Sequence, residues 1–330
     1  MSAATMLGDM KTVKIFDCSN SVYRPPHRAA SYGPKENDVM AMLKRHCAQF
    51  GCQYVQTPSD ADVIITNDVF PPDILSLGKP MVKRMDGIFW DSERDRNATL
   101  NLAAQQAQHV IFISEYSKQS YEQLLHPTLN GTVLKKVSVI LNEVCDTTFF
   151  IANNLGPKRF VWTAAASNWE RPEKRFKDIM RFATILGGRG LVRLIGHCSF
   201  PVPDNVIKHG YLSEAEICDI LQNSAAFVNL SYRDAAPKVV CQAVSCGLPV
   251  LYADSGGTGE LVFAGVPIKD NQKISFDDDV PDLNEDEMKK SLYRFYRDFL
   301  VNDMAEHART YKSRFTSMLD SYFSVIKNTA

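Results

Sequence analysis

Apolar residues recur along the first half of the chain in short runs, separated by amphipathic stretches of helix length. The runs are TVKIFDC, DVIITN, PMVKRM, HVIFIS and KVSVIL, and the stretches between them include ENDVMAMLKRHCAQF and SKQSYEQLL. The runs lack a strict alternation of apolar and polar positions, which is typical of parallel strands buried on both faces. This half of the chain therefore predicts an α/β unit with a parallel sheet.

The same alternation begins again after a linker near residues 154–157, which contains Gly and Pro. The runs RFVWTAA, LVRLIG, AAFVNLS and PVLYAD alternate with the helical stretches RPEKRFKDIMRFATIL and SEAEICDILQNS. A second α/β unit is predicted. We expect an N-terminal Rossmann-like domain at residues 1–155 and a C-terminal one at 156–300.

The C-terminal part of the chain is predicted to be helical. An acidic run at residues 277–287 is typical of a solvated loop and a helix N-terminus. Apolar side chains then share helix faces, first Met288, Leu292, Phe295 and Phe299 and later Tyr311, Phe315, Met318, Tyr322 and Val325. We expect the terminal helix, within residues 301–330, to dock on the N-terminal domain.

Composition narrows the class of protein. The chain has 330 residues and a net charge of −1, which argues against a general nucleic-acid binder. Its 8 cysteines include no Cys-x-x-Cys, which favours reduced, buried thiols over a disulfide framework or a metal site. The sequence has neither a signal-peptide pattern nor an apolar run long enough for an integral membrane segment, so we expect a cytoplasmic protein.

The stretch RDAAPKVVCQAVSCGLPVL has the strongest local chemistry. Pro237 suits the first position of a helix, and the amides of residues 238–240 would then be free to bind phosphate at the positive end of the helix dipole. Lys238 adds a full charge, and Asp234 can accept hydrogen bonds from ligand hydroxyls. Gln242 either reaches the same extended ligand or is a surface position, and Asp234 is either a ligand contact or a cap-like residue.

This stretch and the residues after it resemble the donor-binding region of glycosyltransferase family 4, the "glycosyl transferases group 1". The family usually shows an acid, seven residues and a Glu, then Ala, a small residue, Gly and Pro-Val, and later Gly-Gly-x-x-Glu. The matching positions are Asp234, Ala243, Cys246-Gly247, Pro249-Val250 and Gly256-Gly257-x-x-Glu260. In relatives the Glu binds the ribose of the nucleotide, and here Gln242 stands in its place. An amide can still donate and accept hydrogen bonds there.

Two further segments are similar to the family. VSVILNEVCDTTFF resembles its end of the first domain, with Asn142, Asp146 and Phe149 matching. SNWERPEKRF resembles the segment that supplies an Arg and a Lys to the donor diphosphate. Lys174 matches the Lys, whereas Trp169 stands where the family has Arg, so Arg171 is the substitute candidate or else a solvated charge. Gly210 and Val239 complete the donor-binding candidates.

The resemblance implies a GT-B fold, with two Rossmann-like doubly wound domains facing a cleft and C-terminal helices packing back toward the N-terminal domain. It implies a retaining, metal-independent, hexosyltransferase-type enzyme that uses a nucleotide-diphosphate sugar as donor and no other cofactor. Cations and helix-end amides would stabilise the leaving diphosphate, and Asp234 would hold the sugar hydroxyls. The acceptor would be a glycan or glycoconjugate, or another hydroxyl compound.

Acceptor candidates lie in the first half of the chain. Asp86, which with Asp234 is a catalytic candidate, and Gly87 follow a predicted strand, at the sheet edge where ligands of open α/β sheets bind, although Asp-Gly also forms turns. Trp90 could stack on a sugar ring, and Lys83 or Arg84 could reach a phosphate. The segment YRPPHRAASYG adds Arg24 and His27, with a Pro-rigidified loop as the alternative.

Two other functional classes stay open. Gln242 and the absence of Arg at position 169 are compatible with a relative that binds nucleotide sugars or acts as a scaffold without turnover. An epimerase or phosphorylase that shares the fold is a further alternative, but the late lysines lie in amphipathic helices, not at a predicted pyridoxal-phosphate site. Asp60-Ala-Asp62 has the form of a metal-binding Asp-x-Asp motif, but it precedes a strand instead of following one.

Overall fold

The computed structural model of the protein describes residues 12–19, 39–90, 96–125, 134–144, 148–151, 161–276, 279–299 and 318–330. The chain divides into two units. The first contains Met1–Ile113, Tyr121–Ile140 and Ser317–Ala330, and the second contains Ser114–Ser120 and Leu141–Thr316. The acceptor candidates Arg24 and His27 lie outside the described residues.

The first unit contains a sheet of six parallel strands in the order β2-β1-β3-β4-β5-β6. In register, Ile15 lies between Tyr54 on one side and Val63 on the other. The strands are β1 (Val13–Asp17), β2 (Cys52–Tyr54), β3 (Val63–Thr66), β4 (Met81–Met85), β5 (His109–Phe112) and β6 (Val137–Val139). β3, β4 and β5 are buried along their whole length, as expected for parallel strands covered on both faces, and β4 buries even the charged residues Lys83 and Arg84.

Helices connect these strands, as parallel pairing requires. They are α1 (Val39–His46), α2 (Pro72–Leu75), α3 (Arg96–Gln106) and α4 (Glu115–Leu124), of which residues 115–120 belong to the second unit. α1 buries Val39, Met40, Met42 and Leu43 and leaves the basic residues of its last turn outside the core.

The second unit contains another parallel sheet of six strands, in the order β12-β11-β10-β7-β8-β9. The strands are β7 (Val161–Asn168), β8 (Leu191–His197), β9 (Val206–Gly210), β10 (Ala226–Asn229), β11 (Val250–Ala253) and β12 (Gly265–Ile268). The helices are α5 (Phe176–Leu186), α6 (Glu214–Gln222), α7 (Lys238–Ser245), α8 (Thr258–Leu261) and α9 (Glu285–Phe299). The prediction of two doubly wound α/β units is confirmed.

Three short strands were not predicted from the sequence. β2 has only three residues, β9 is largely exposed, and β12 contains Pro267. All three are edge strands. An edge strand needs no long apolar run, and it tolerates a proline because one side of its backbone has no neighbour to bond.

Aromatic packing forms the centre of the second core. The ring of Trp162 on β7 meets Phe182 of α5 edge-on at 5.0 Å and Phe295 of α9 at 4.8 Å. Met288 and Leu292 are buried in the same cluster and Phe299 packs against it. The predicted apolar face of α9 is therefore confirmed, and the acidic residues lie in its first turn, as predicted.

Residues 318–329 are helical and pack within the first unit. Met318, Tyr322 and Val325 are buried, as the helical periodicity predicts, whereas positions 311 and 315 lie outside the described residues. The Tyr322 hydroxyl accepts a hydrogen bond from Arg84 Nε at 3.1 Å.

Phe323 tests how much this helix contributes to stability. Its ring is buried and stacks on Phe50 with 4.4 Å between centroids. Phe323→Ala should lower the free energy of unfolding of the first unit by about 3–5 kcal/mol, since it removes a buried ring and leaves a cavity. The measurement is denaturant unfolding. The exposed neighbour Ser324 supplies a control, since Ser324→Ala should change stability by less than about 0.5 kcal/mol. Equal losses in the two variants would contradict this packing.

Candidate functional site

The strand order of the second sheet reverses between β7 and β10, which are neighbours although two strands separate them in sequence. Ligands of open α/β sheets bind outside the carboxyl ends of the strands at such a switch point. β7 leads into a short helical turn, Pro172–Lys174, and β10 leads into residues 230–237. The two segments are joined where Tyr232 N donates to Glu173 O at 2.8 Å.

This topology brings together two of the residues predicted from the sequence, Lys174 and Asp234. Lys174 Nζ donates to Asp234 Oδ2 at 2.8 Å. The two side chains are 16% and 22% exposed, so each is mostly enclosed but open on one side. The pair presents a cation and a hydrogen-bond acceptor side by side, which suits a ligand that carries both phosphate and hydroxyl groups.

Two glycines hold the Asp234 segment by close backbone approach. Asp234 and Gly256 form an isolated parallel bridge, and Gly257 N donates to Asp234 O at 2.9 Å. A Cβ added to Gly256 would lie 2.5 Å from Asp234 O, and one added to Gly257 would lie 1.9 Å from Ala235 O. This contact gives the Gly-Gly pair of the sequence a physical reason: a side chain there would push Asp234 out of position.

Glu260, which follows the same glycines, binds the start of α4. Its carboxylate accepts hydrogen bonds from Glu115 N at 2.7 Å and Tyr116 N at 2.9 Å. A carboxylate at a helix N-terminus is stabilised by the helix dipole and satisfies two amides that have no partner within the helix. The Gly-Gly-x-x-Glu spacing was visible in the sequence, but the role of Glu260 was not predicted.

The start of α7 differs from the prediction. Pro237 is the N-cap residue, not the first helical residue, and the helix begins at Lys238. Val240 N donates to Pro237 O at 3.0 Å, so the prediction of a free amide at Val240 is wrong. The candidates Lys238 and Val239 occupy the first two helical positions and are half-buried.

Gln242 is 5% exposed. The alternative that it is a surface position is therefore wrong. Next to it, Cys241 Sγ donates to Asn142 O at 3.3 Å and Asn142 Nδ2 donates to Ala236 O at 3.4 Å, so Asn142 ties residues 141–144 to α7. Burial raises the pKa of the Cys241 thiol to about 12. The neighbouring motif residue Asp146 lies outside the described residues.

Of the remaining donor candidates, Arg171 contacts Lys174 through its backbone, since Lys174 N donates to Arg171 O at 3.0 Å. The Arg171 Nε lies 2.5 Å from Glu173 Oε1 and its side chain is largely exposed. Trp169 is buried and its indole Nε1 donates to Ile195 O at 2.9 Å, so position 169 faces the core and not the site. Gly210 ends the edge strand β9 with a φ of 68°.

Sequence reasoning missed a set of residues that flank the pair. Arg175 follows Lys174 with a φ of 51°, and Arg233 precedes Asp234 with a φ of 55°. The left-handed conformation costs a residue with a Cβ about 1–2 kcal/mol. Both guanidiniums lie over the ring of Tyr232. No sequence pattern indicates a left-handed arginine, because glycine and asparagine are the usual residues there.

The acceptor candidates of the first unit follow β4. Asp86 is half-exposed and forms a salt bridge with Arg84 Nη1, Gly87 has a φ of 129°, and Trp90 is half-buried. Lys83 is completely buried and its Nζ donates to Arg84 O at 2.9 Å. The expectation that Lys83 could reach a phosphate is therefore wrong, because its ammonium points into the core.

Comparisons with known proteins identify a similar family and similar folds. The model of the family "Glycosyl transferases group 1" matches residues 183–297, which include Asp234, Lys238 and Gln242. A search of curated proteins found no match to this chain. Among the described residues, no helix is long and apolar enough to cross a bilayer.

Solved structures cover most of the chain. HepE from Anabaena in complex with UDP superimposes with a TM-score of 0.65 at 14% identity, over 96% of this chain and 100% of that one. Sucrose-phosphate synthase from Thermosynechococcus elongatus superimposes with a TM-score of 0.55 at 15% sequence identity. The match covers 96% of this chain and 86% of that one. The protein has the GT-B fold. A chain of the GtfA/B complex gives 0.61 at 12% identity, and here the match covers 86% of this chain but only 59% of that one.

The glycine contact can be tested directly. Gly257→Ala should destabilise the second unit and displace Asp234, because the new Cβ would overlap Ala235 O. Backbone strain does not contribute, since the φ of −89° at this position suits any residue. Differential scanning calorimetry measures the loss, which we expect at about 1–3 kcal/mol, as for other overpacked sites. The exposed Gly188, around which no atom lies within 4 Å of an added Cβ, gives the control Gly188→Ala. A Gly257→Ala variant as stable as this control would contradict the close approach.

Lys83 predicts a pH dependence of stability. Burial lowers its pKa from 10.5 to about 8, so above pH 8 the folded state loses a proton that the unfolded chain keeps up to about pH 10.5. Lys83 therefore destabilises the folded state at neutral pH, and this penalty fades as the pH rises through that range. Lys83→Met should raise the free energy of unfolding at pH 7 by up to about 3 kcal/mol. The gain over wild type should shrink toward pH 10, whereas a gain independent of pH would contradict the shift.

Proposed function

We propose that the protein is a retaining glycosyltransferase that transfers a sugar from a nucleotide-diphosphate sugar to a glycan or another hydroxyl acceptor without a metal ion. The observation that carries this proposal is the 2.8 Å pair of Lys174 and Asp234 at the switch point of the second sheet. The family-model match over residues 183–297 supports it, as does the likeness to HepE, whose structure is a complex with UDP.

The main physical problem of such a reaction is the leaving diphosphate, whose negative charge grows as the glycosidic bond breaks. Fixed cations in a partly dry site stabilise that charge more strongly than water does. Lys174 is the cation best fixed for this role, because Asp234 already holds its ammonium. Lys238 at the start of α7 adds a second positive charge, and Arg171 a third when its guanidinium leaves Glu173.

Asp234 has a different role in this proposal. A carboxylate only accepts hydrogen bonds, and sugar hydroxyls are donors that it can bind in pairs. Lys174 neutralises part of its charge, so the carboxylate does not repel an incoming diphosphate. The ammonium has three donor protons, and the bond to Asp234 uses one of them, which leaves others for phosphate oxygens.

Retention of configuration follows, in this proposal, from attack on the same face from which the diphosphate departs, with a departing phosphate oxygen taking the acceptor proton. The acceptor is proposed to bind at the carboxyl edge of the first sheet, near Asp86, Gly87 and Trp90. The half-exposed carboxylate of Asp86 can accept a hydrogen bond from an acceptor hydroxyl, and the Trp90 ring offers a face for a sugar.

A second candidate function is a nucleotide-sugar-binding or scaffolding protein with little turnover. Two observations favour it. Trp169 is buried where relatives have a cation, and Arg171 forms an ion pair with Glu173. The site therefore presents fewer unengaged positive charges to a leaving diphosphate than the full motif would supply.

Lys174→Met separates the two functions. The protein is incubated with UDP-, GDP- and ADP-sugars, and release of nucleoside diphosphate is followed with and without glycan acceptors. For an enzyme, Lys174→Met should lower kcat/KM by about 100-fold, the usual effect of removing one donor that stabilises developing charge. Lys177, exposed and one turn further along the chain, supplies the control Lys177→Met, which should keep wild-type activity. Tight binding of a nucleotide sugar by the wild type without release or transfer would favour the scaffold.

A further inference from the structure

Two arginines with left-handed backbone conformations flank the Lys174–Asp234 pair. Among the residues that the structure describes, Arg175 and Arg233 are the non-glycine residues with positive φ. One directly follows Lys174 and the other directly precedes Asp234. Glycine adopts this conformation with little strain. The presence of arginine at both positions therefore indicates that the side chains themselves have a task.

Both side chains converge on one ring. The guanidinium carbon of Arg175 lies 4.7 Å from the ring centroid of Tyr232, and that of Arg233 lies 4.5 Å from the same centroid. The Tyr232 ring is buried. A cation over an aromatic face is attracted by the ring quadrupole, and the attraction is larger where water is excluded. The ring thus links the two strained residues to each other.

Each guanidinium is also anchored to the segment after β12, residues 269–276. Arg175 forms a bidentate pair with Asp270, with Nη1–Oδ2 at 2.6 Å and Nη2–Oδ1 at 3.1 Å, and both side chains are almost fully buried. Arg233 Nη2 donates to Ser275 Oγ at 3.1 Å and to Lys273 O at 3.4 Å. Neither arginine can turn toward solvent without breaking these contacts.

We propose that Arg175, Tyr232 and Arg233 are positioning residues that hold Lys174 and Asp234 in contact. The buried ring and the anchored guanidiniums stabilise two left-handed turns, and these turns direct the neighbouring Lys174 and Asp234 side chains toward each other. Removal of the ring face releases both turns, so the pair separates. The consequence for donor affinity rests on the function proposed above, whereas the consequence for the geometry of the pair does not.

Tyr232→Leu and Tyr232→Phe form a matched test, since Leu removes the aromatic face and Phe keeps it. Crystal structures of both variants without ligand measure the distance from Lys174 Nζ to Asp234 Oδ2. The separation should stay near 2.8 Å in Tyr232→Phe and exceed hydrogen-bond distance in Tyr232→Leu. An intact pair in Tyr232→Leu overturns the proposal, whatever the reaction of the protein is.

Calorimetric titration measures the effect on binding, with UDP, GDP and ADP and with the monophosphate of the preferred base as probes. Tyr232→Leu should weaken the binding of the nucleoside diphosphate at least tenfold, as expected for the loss of two desolvated cation–π contacts. Tyr232→Phe, which keeps the ring, should bind it with wild-type affinity. Monophosphate affinity should change less than about threefold. The monophosphate is the control, because a general loss of folding would weaken the binding of both ligands alike. Equal weakening of both ligands overturns the positioning role, whereas a wild type that binds no diphosphate contradicts the proposed function alone.

If Tyr232→Leu does not fold, the double variant Arg175→Gly/Asp270→Asn provides the test instead. Glycine fits the φ of 51° without strain, and asparagine removes the buried carboxylate that would lose its partner. The proposal expects a separated pair and at least tenfold weaker diphosphate binding in this variant, with Asp270→Asn alone closer to wild type. Wild-type geometry in the double variant would show that the backbone conformation is sufficient, and would overturn the role of the guanidinium.

Discussion

The parallel pairing of β7 with β10 is the constraint on which the candidate site depends. Because both strands end at the same edge of the sheet, the segments that follow them meet there, although Lys174 and Asp234 are far apart in sequence. The backbone bond from Tyr232 N to Glu173 O continues this alignment beyond the strands. The strand order therefore brings the two segments together, and the contacts around them then determine whether the two side chains meet.

Around the Lys174–Asp234 pair, backbone strain is offset by specific side-chain contacts. Arg175 and Arg233 adopt left-handed conformations, and both guanidiniums lie over the buried ring of Tyr232. Arg175 also forms a buried ion pair with Asp270. Two glycines allow the Asp234 backbone to come closer than any side chain would permit. Strain of this kind persists only where the surrounding structure over-determines it, and it concentrates at functional sites. The second unit thus fixes its charged groups through contacts within its own chain.

Much of the fold was predictable, because buried parallel strands leave continuous apolar runs and the helices between them leave a 3.6-residue period. The edge strands β2, β9 and β12 left no such signal. In the site, the spacing of Asp234, Gly256 and Glu260 was visible, but the carboxylate contact from Glu260 to the start of α4 was not. Trp169 and Lys83 show the limit of local patterns, since their direction depends on which face of a strand or loop the core occupies.

The sequence by itself determined the two α/β units, the helical faces and the chemical types available at the strand ends, because these follow from periodicity and from residues adjacent in the chain. Only the tertiary structure decided which of those residues meet. It paired Lys174 with Asp234, directed Lys83 into the core and placed two guanidiniums on one tyrosine ring. The contacts of Lys174 with Asp234 and of Arg175 with Tyr232 join segments that are distant in sequence, and the burial of Lys83 depends on what packs around β4, so strand order and packing fix them and no local pattern does.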